Sequence, residues 1–210
     1  ASLTFDGPVT DNTTFVFSAR RSYLQLLFDA LQLPFLPTFN DFQFKSKTRF
    51  DDKNELRLIG LGAIDDFELN TDANDTESQR YILDYIPVNT QRNYTIGAVF
   101  KHYRESGYDT WVLSRNFLRN RSYKYQNNQE KDSLKRLDYI SDEAETKFRY
   151  ENTTITEGYR INAGLGIEYA NYNNNTFRKT FIGGEPLTID YSSNLNFFQW
   201  NFFGQVSKSF

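Results

Sequence analysis

The segment YRINAGLGIEYA, residues 159–170, alternates between two kinds of side chain. Its odd-numbered positions are apolar or aromatic, and its even-numbered positions are polar, charged or glycine until the final alanine. Because successive side chains of an extended chain point to opposite faces, this pattern predicts a strand with one apolar face and one wet face. The apolar face would meet a second sheet in a soluble sandwich, or lipid in a membrane barrel.

The same alternation recurs with more charge on the wet face. Segment 42–50 and segment 144–151 each place charged side chains on one face and aromatic ones on the other; the charged positions are Lys45, Lys47, Arg49, Glu145, Lys147, Arg149 and Glu151. Such a face cannot be a dry core, so it must contact water or counter-charges. Segments 94–101 and 198–207 repeat the scheme with Phe203 as an exception, whereas 54–64 is apolar on both faces.

Alternation and turn residues together predict nine strands, over residues 1–8, 12–23, 39–51, 54–70, 92–105, 110–126, 142–152, 159–172 and 188–210. Short links rich in Asp, Asn and Gly, at PVTDN, FDDKN, ESGYD and NTTITEG, are predicted to alternate with long ones. The long links are LQLLFDALQLPFLPT, TDANDTESQRYILDYIPVNTQ, NNQEKDSLKRLDYIS and NNNTFRKTFIGGEPL.

Short turns on one rim and long loops on the other are typical of an outer-membrane barrel, and so are strands longer than about ten residues. This pattern favours a membrane barrel over a soluble β-sandwich. A closed bacterial barrel has an even number of strands. A count of nine strands therefore indicates either a partial barrel or a count that is wrong by one. Because Lys208 stands where an apolar residue is expected, we interpret Phe210 as an internal stop rather than a terminal aromatic residue.

Composition excludes several other classes. Aromatic residues make up 17% of the chain, and no apolar run approaches the roughly 18 residues of a membrane helix. A net charge of -3 with scattered Lys and Arg provides no basic surface for nucleic acid. The absence of cysteine removes disulfides, thiolate zinc sites and cysteine nucleophiles. The start, ASLTFDGPV, reads as a strand rather than a signal peptide, so we expect the chain to begin inside a longer one.

Few residues suggest a site of their own. Arg20 and Arg21 could clamp a carboxylate or phosphate, but a position at the outer rim, solvated or paired with a loop carboxylate, is favoured. An acidic run could hold calcium, although it lacks the order of a calcium loop and fits a solvated surface better; it comprises Asp65, Asp66, Glu68, Asp72, Asp75 and Glu77. His102 is the single histidine and is expected at a strand end. We therefore predict no enzyme, no catalytic residues, no metal and no cofactor, and assign no ligand-binding residue.

Aromatic residues and one loop complete the predictions. Rings with a polar tip suit membrane interfaces, and the girdle candidates are Tyr94, Trp111, Tyr159, Tyr169, Tyr191 and Trp200; cross-strand pairing is the simpler role. The segment SYLQLLFDALQLPF has near-helical apolar spacing at Leu24, Leu27, Phe28 and Leu31. It predicts a short helix or an irregular loop at the rim.

Residues 15–69, from FVFSARRSYLQLLF to TRFDDKNELRLIGLGAIDDFEL, resemble the early barrel of the TonB-dependent outer-membrane receptors of the Bacteroidota. The opening SLTFDGPVTDNTTFVFSARRSY is similar to their first hairpin. The resemblance is specific over about the first third of the chain. It implies an all-β, antiparallel up-and-down meander forming about 9–10 strands of a larger transmembrane barrel of about 22 strands, with residues 1–210 as the N-terminal part of the barrel domain.

The resemblance also implies a function and partners. The expectation is energised uptake of a scarce nutrient, such as a siderophore, cobalamin or a glycan, at the bacterial outer membrane. Implied partners are outer-membrane lipid, a plug domain, the remaining barrel strands and the inner-membrane TonB complex; none of the plug, the TonB box or the closing strands is present in these residues. Two alternatives stay open: a soluble or surface β-sheet module that binds carbohydrate, and a small porin-like barrel.

Overall fold

The structure, a computed structural model, describes residues 1–208, so Phe210 and its interpretation as a stop lie outside the described residues. Nine antiparallel strands pair in sequence order in a single sheet. The strands are β1 (Ser2–Thr10), β2 (Thr13–Arg21), β3 (Phe35–Arg49), β4 (Asn54–Leu69), β5 (Val88–Arg104), β6 (Gly107–Tyr125), β7 (Lys135–Thr156), β8 (Tyr159–Ile182) and β9 (Glu185–Lys208). The predicted all-β, up-and-down meander is confirmed.

Helices occur in two of the links. Helix α1 (Leu24–Ala30) confirms the helical alternative for the first long link, and helix α2 (Glu77–Tyr85) lies in the second. Thr76 and Gln79 begin α2 with a reciprocal capping box, which satisfies amide groups that the first turn leaves without partners. The third link contains two short 3₁₀ turns, Gln126–Asn128 and Asp132–Leu134. No helix within residues 1–208 has the length and apolar character that crossing a bilayer requires.

The prediction of a fourth long loop is wrong. Strands β8 and β9 continue through NNNTFRKTFIGGEPL and meet at Gly183 and Gly184, whose φ angles are 62° and 92°. Two successive residues with positive φ suit a two-residue hairpin turn whose twist matches that of the strands. Among the asparagines that suggested a loop, Asn173 instead bonds across the strands, accepting a hydrogen bond from Asn194 of β9. The long links are therefore three, and the fourth is an extended hairpin.

The register divides the sheet into two faces. The apolar face carries aromatic and aliphatic side chains, including Phe44, Leu113, Ile167 and Trp200, while the charged face carries Lys47, Glu55, Lys147 and Glu168. Most of the buried polar side chains in the strands lie on the charged face, namely Glu55, Thr110, Lys124, Ser141, Thr153 and Asn174, whereas Thr38 and Asp109 lie on the apolar face. Side chains converge on the inside of a curved sheet, so this crowding marks the charged face as the concave one.

No second layer covers the apolar face within residues 1–208. The only buried hydrophobic residues in that range are Ala73 and Leu83, both in the link between β4 and β5, while Leu113 and Trp200 are exposed. The sandwich of the carbohydrate-binding alternative would bury these rings between two sheets. The nine strands also form an open sheet, in which β1 and β9 are the edges, so the described residues do not make a small closed barrel.

Candidate functional site

Compensated charges occupy the turn-side half of the charged face. Glu55, only 2% exposed, forms two salt bridges: its Oε2 lies 3.1 Å from Lys47 Nζ, and its Oε1 lies 2.6 Å from Arg57 Nη2. The register between β3 and β4 places Lys47 opposite Arg57 and Arg49 opposite Glu55. Lys47 is therefore diagonal to Glu55 on the same face and can reach it. The arrangement satisfies a carboxylate that would be costly to bury alone.

A second charge network crosses β7 and β8. Lys147 Nζ lies 2.8 Å from Glu145 and 3.3 Å from Glu168, and Arg149 Nε lies 3.2 Å from Glu151. The predicted charged residues of segments 42–50 and 144–151 thus share one face of the sheet. Opposite charges interleave on it, as a water-filled barrel interior permits.

Glycines on the same face admit neighbouring side chains. A Cβ atom built on Gly164 would lie 2.5 Å from Phe203 Cε1 and 2.6 Å from the Tyr150 carbonyl oxygen. The Phe203 ring therefore rests on the backbone of β8, which explains why this phenylalanine breaks the alternation of β9. Gly166 makes similar room for the Asn201 amide. Sequence alternation detected the exception but not its cause.

A cleft of about 320 Å³ lies at the loop-side end of the charged face. Aromatic, amide and carboxylate side chains line it, chiefly Phe39, Asp65, Phe67, Gln91, Asn120 and Tyr139. Ser141, which pairs with Asn120 in the register, is 1% exposed, and its hydroxyl has no hydrogen-bond partner within the described residues. This set can hydrogen-bond and stack on a polar ligand, and sequence reasoning missed it because its members come from five strands.

The structure separates Arg20 and Arg21. They are neighbours in β2, so their side chains point to opposite faces: Arg20 Nε lies 2.9 Å from Asp41 Oδ2, and Arg21 donates to Asn40 at 3.3 Å. The two guanidinium groups cannot clamp one anion. Arg20 is paired with a carboxylate near the loop-side rim, but its partner Asp41 belongs to β3 and not to a loop as predicted.

The acidic run is dispersed as well. Its members lie in β4, in the following link and in the first turn of α2, and Asp65 and Asp66 point to opposite faces. Within residues 1–208 no group of three or more His, Asp or Glu side chains is placed to hold a metal ion. His102 lies near the end of β5, as expected, and its Nδ1 is 2.8 Å from Asn54 Oδ1.

The turn between β3 and β4 is fixed by a carboxylate. Asp51 accepts the Asn54 amide at 2.9 and 2.8 Å and the Lys53 backbone N–H at 2.7 Å. These bonds, that of Asn54 above all, hold the pKa of the Asp51 carboxyl below its ordinary value. The tight turn predicted at FDDKN therefore has a local chemical cause.

Polar rows bound the apolar face on both sides. The turn-side polar row consists of the consecutive cross-strand partners Asn54, His102, Asp109 and Asn152. The loop-side polar row consists of Arg92, Arg119, Asp142, Asn173 and Asn194. We call the surface between these rows the apolar belt.

Aromatic residues line both margins of the apolar belt. Trp111 packs between Phe100 and Tyr150 on the turn side, with ring centroids 5.6 and 5.5 Å apart, and Tyr94 stacks on Phe117 at 5.5 Å on the loop side. Five of the six girdle candidates lie on the apolar face: Tyr94, Trp111, Tyr159, Tyr169 and Trp200. Tyr191 does not, because its register partner is Thr176 on the charged face.

Tyrosine hydroxyls point away from the middle of the belt. Tyr150 donates to Asp109 at 2.8 Å in the turn-side polar row. Tyr169 donates to Asn196 at 2.9 Å, toward the loop-side row. Rings inside the belt with hydroxyls directed to opposite rims are the arrangement that an apolar slab between two polar layers favours.

Comparison with known proteins gives the overall shape. No protein-family description and no curated protein matches the chain in sequence. Among solved structures, it is similar to the ferric-catecholate import receptor Fiu from E. coli K12 in its open form, with a TM-score of 0.53 and 10% identity over 97% of this chain and 43% of that one. The fold is a β-barrel segment. The chain spans less than half the length of this neighbour.

Proposed function

We propose that residues 1–210 are the N-terminal part of the barrel domain of a TonB-dependent receptor in the bacterial outer membrane, which takes up a scarce nutrient in an energised step. The likeness to the barrel of an import receptor supports the architecture. The apolar belt supports the membrane location and is the observation that carries the proposal.

The height of the belt matches a membrane. In β5 the two polar rows, at Arg92 and His102, are about ten residues apart, or about 33 Å along the strand at roughly 3.3 Å per residue. Strands in outer-membrane barrels tilt by about 40°, so this length corresponds to about 25 Å along the membrane normal, the height of the apolar band of such barrels. A soluble protein has no reason to expose a band of this height between aromatic margins.

The charged face then lines the barrel interior. Its interleaved ion pairs would face water and a plug domain. The loop-side cleft, which Phe39 and Asp65 help to line, lies where an entering ligand would pass. The other partners are outer-membrane lipid, further barrel strands joined at β9, and the TonB complex acting through the plug. The proposal includes no nucleic-acid partner and no enzymatic activity.

The ligand belongs to the scarce nutrients that such receptors import. Fiu is described as an import receptor for ferric catecholates. The cleft here offers Phe67 and Tyr139 for stacking and Asn120 for hydrogen bonds. These groups suit siderophores, cobalamin and glycans alike, so the ligand is proposed only as a class.

Single cysteines test which medium covers each face. The chain has no cysteine, so Leu113→Cys and Ser114→Cys give unique labels on adjacent residues that point to opposite faces. In the complete protein reconstituted in vesicles, we expect a fluorophore at 113 to be quenched by brominated lipid and one at 114 by aqueous iodide. Iodide quenching of both labels, with no lipid quenching of either, would refute the membrane assignment.

A further inference from the structure

One carboxylate in the loop-side cleft has no counter-charge. Asp65 is half-buried on the charged face, and within residues 1–208 no cation lies within salt-bridge distance of it and no group donates a hydrogen bond to its side chain. The charges that act on it are two further carboxylates, Asp41 and Asp66. Arg20 compensates Asp41 at 2.9 Å, whereas Asp65 is left uncompensated. A nearby cation would stabilise such a partly desolvated carboxylate.

Arg121 borders the cleft but does not supply that cation. It is the neighbour of Asn120 in β6, so its side chain points to the opposite side of the sheet. There its Nε lies 3.6 Å from Asp138 Oδ1, and its guanidinium group lies 5.0 Å from the centroid of the Tyr123 ring. Among the described residues, the charged-face side of the cleft therefore presents a carboxylate with no cation of its own.

Two phenylalanines flank Asp65. Phe39 is its direct cross-strand partner in β3, and Phe67 follows it by two residues on the same face of β4. Phe35 stacks on Phe67 with ring centroids 5.1 Å apart, and Phe28 of α1 packs edge-on against Phe35 at 5.3 Å. The Phe67 ring is therefore held in place before any ligand binds. A carboxylate between aromatic rings attracts a cation both by charge and by cation–π contact.

Amides and a hydroxyl continue the row on the other side of the carboxylate. Gln91 is the β5 partner of Asp65, Asn120 is the β6 partner of Gln91, and Ser141 is the β7 partner of Asn120. Neither amide side chain makes a hydrogen bond within residues 1–208. Ser141 is 1% exposed, and its hydroxyl has no partner in the same part of the chain. The row thus keeps unused donors and acceptors, which match those of a peptide group.

The space around Asp65 is larger than a single amine requires. Phe39 and Asp65 line both the cleft of about 320 Å³ and a second cavity of about 730 Å³, so the two spaces adjoin at these residues. Tyr23 and the Arg20–Asp41 pair also line the second cavity. A free amine would use the carboxylate alone, whereas an extended ligand with amide groups on either side of a cation would use the whole row.

We propose that this cleft binds a basic oligopeptide, with a guanidinium or ammonium side chain on Asp65 between the rings of Phe39 and Phe67. The peptide backbone lies along Gln91 and Asn120, whose amides pair with its amide groups. An anionic ligand would be repelled by the carboxylates, and a neutral sugar would leave Asp65 uncompensated. The inference rests on the proposed function, because only an import receptor presents this cleft to external nutrients.

The test measures peptide binding to the complete protein in nonionic detergent by isothermal titration calorimetry. The probes are the terminally capped peptide Gly-Gly-Arg-Gly-Gly and its analogues with glutamine or glutamate in place of arginine. Spermidine and maltotriose represent polyamines and neutral sugars. At low salt, wild type should bind the arginine peptide about tenfold more tightly than the glutamine peptide, the size of effect that a charged hydrogen bond has, and the glutamate peptide least.

Three variants locate the preference. Asp65→Asn should bind the arginine and glutamine peptides equally, because it removes the charge and keeps the shape. Asp190→Asn removes an equal charge from an exposed loop-side position in β9 and should keep the preference for arginine. Phe39→Leu keeps an apolar side chain but removes the ring, so it should weaken binding of the arginine peptide by about two- to fivefold. Binding of the glutamine peptide to Phe39→Leu should stay unchanged.

Thermal stability without peptide provides a second readout. Because Asp65 has no partner to lose, Asp65→Asn should equal or exceed wild type in Tm. A lower Tm for this variant would mean that a cation of the plug or of another barrel strand already occupies the carboxylate, which would overturn the proposal.

Binding results can overturn the proposal as well. They are equal or absent binding of the arginine and glutamine peptides by wild type, an unchanged preference in Asp65→Asn, and binding of spermidine or maltotriose at least as tight as that of the arginine peptide. The wild-type comparison decides the matter even where a variant does not fold. A lipid-quenched label at residue 113 with no preference for arginine would reject this inference alone, whereas aqueous quenching there would reject the proposed function.

Discussion

Single residues show how the charged face tolerates its charges. Glu55 is almost fully buried between Lys47 and Arg57, whereas the Arg20–Asp41 pair is largely exposed. A carboxylate removed from between two cations leaves those cations close together with no counter-charge. An exposed pair loses little, because water screens both partners.

Replacing Glu55 therefore tests the concave network. We expect Glu55→Gln to lower the free energy of unfolding by about 2 kcal/mol, the order of magnitude of a lost buried charged hydrogen bond. Asp41→Asn, the matched exposed control, should cost less than about 1 kcal/mol. Denaturant unfolding in detergent, monitored by heat-dependent gel migration, measures both changes in the free energy of unfolding. Equal effects of the two substitutions would mean that Glu55 is solvated in the complete protein.

At the scale of elements, one lysine joins the second long link to the sheet. Lys124, at the loop-side end of β6, is 7% exposed and donates to the carbonyl oxygens of Leu83 and Ile86, the latter at 3.0 Å, and to Asn128 at 2.6 Å. Desolvation lowers the pKa of its ammonium group. Carbonyl groups at a helix end lack partners within the helix, so a cation there both bonds and stabilises the helix dipole.

Lys124→Met should loosen α2 while leaving the sheet intact. The methionine fills similar space but donates no hydrogen bond, so the last turn of α2 loses its anchor on β6. We expect amide hydrogen exchange over residues 77–86 to accelerate by about tenfold or more, as the loss of about 1–3 kcal/mol of local stability implies. Lys131→Met, an exposed control in the link between β6 and β7, should leave exchange unchanged. Acceleration throughout the strands instead would show that Lys124 supports the whole sheet.

On the scale of the whole molecule, the open edge at β9 matters most. Every strand from β2 to β8 pairs on both sides, while β9 pairs with β8 alone within the described residues. An unpaired edge in lipid would leave several backbone groups without hydrogen bonds, which hydrocarbon does not tolerate. The proposed barrel must therefore continue past β9.

Hydrogen exchange in the complete protein tests this continuation. Amides of β9 in the belt, from Phe198 to Val206, should exchange as slowly as those of β8 from Ile161 to Tyr169, because a following strand pairs with them. Strand β5, which is interior, serves as the reference for full protection. Rapid exchange along β9 beside protected β8 would mean that β9 is a true edge and that the barrel proposal fails.

Much of the fold was predictable from local pattern. The period of two along β8 and β3 reports which residues share a face, because it follows from the geometry of one extended strand. The same rule could have shown that Arg20 and Arg21 diverge. The Asn-rich segment that begins at Asn173 was predicted as a loop, because the β9 residues that pair with it, such as Asn194, lie in a different segment of the chain.

The sequence by itself determined nine strands, their two faces and the short turns, because each depends on residues close together in the chain. Tertiary structure alone decided which side chains meet across strands: Glu55 between its two cations, the loop-side cleft, and Arg92 opposite Arg119. Those meetings depend on register, and register is set jointly by turn length and by pairing over many residues. Any functional surface of this sheet, inside or outside, is built from such meetings.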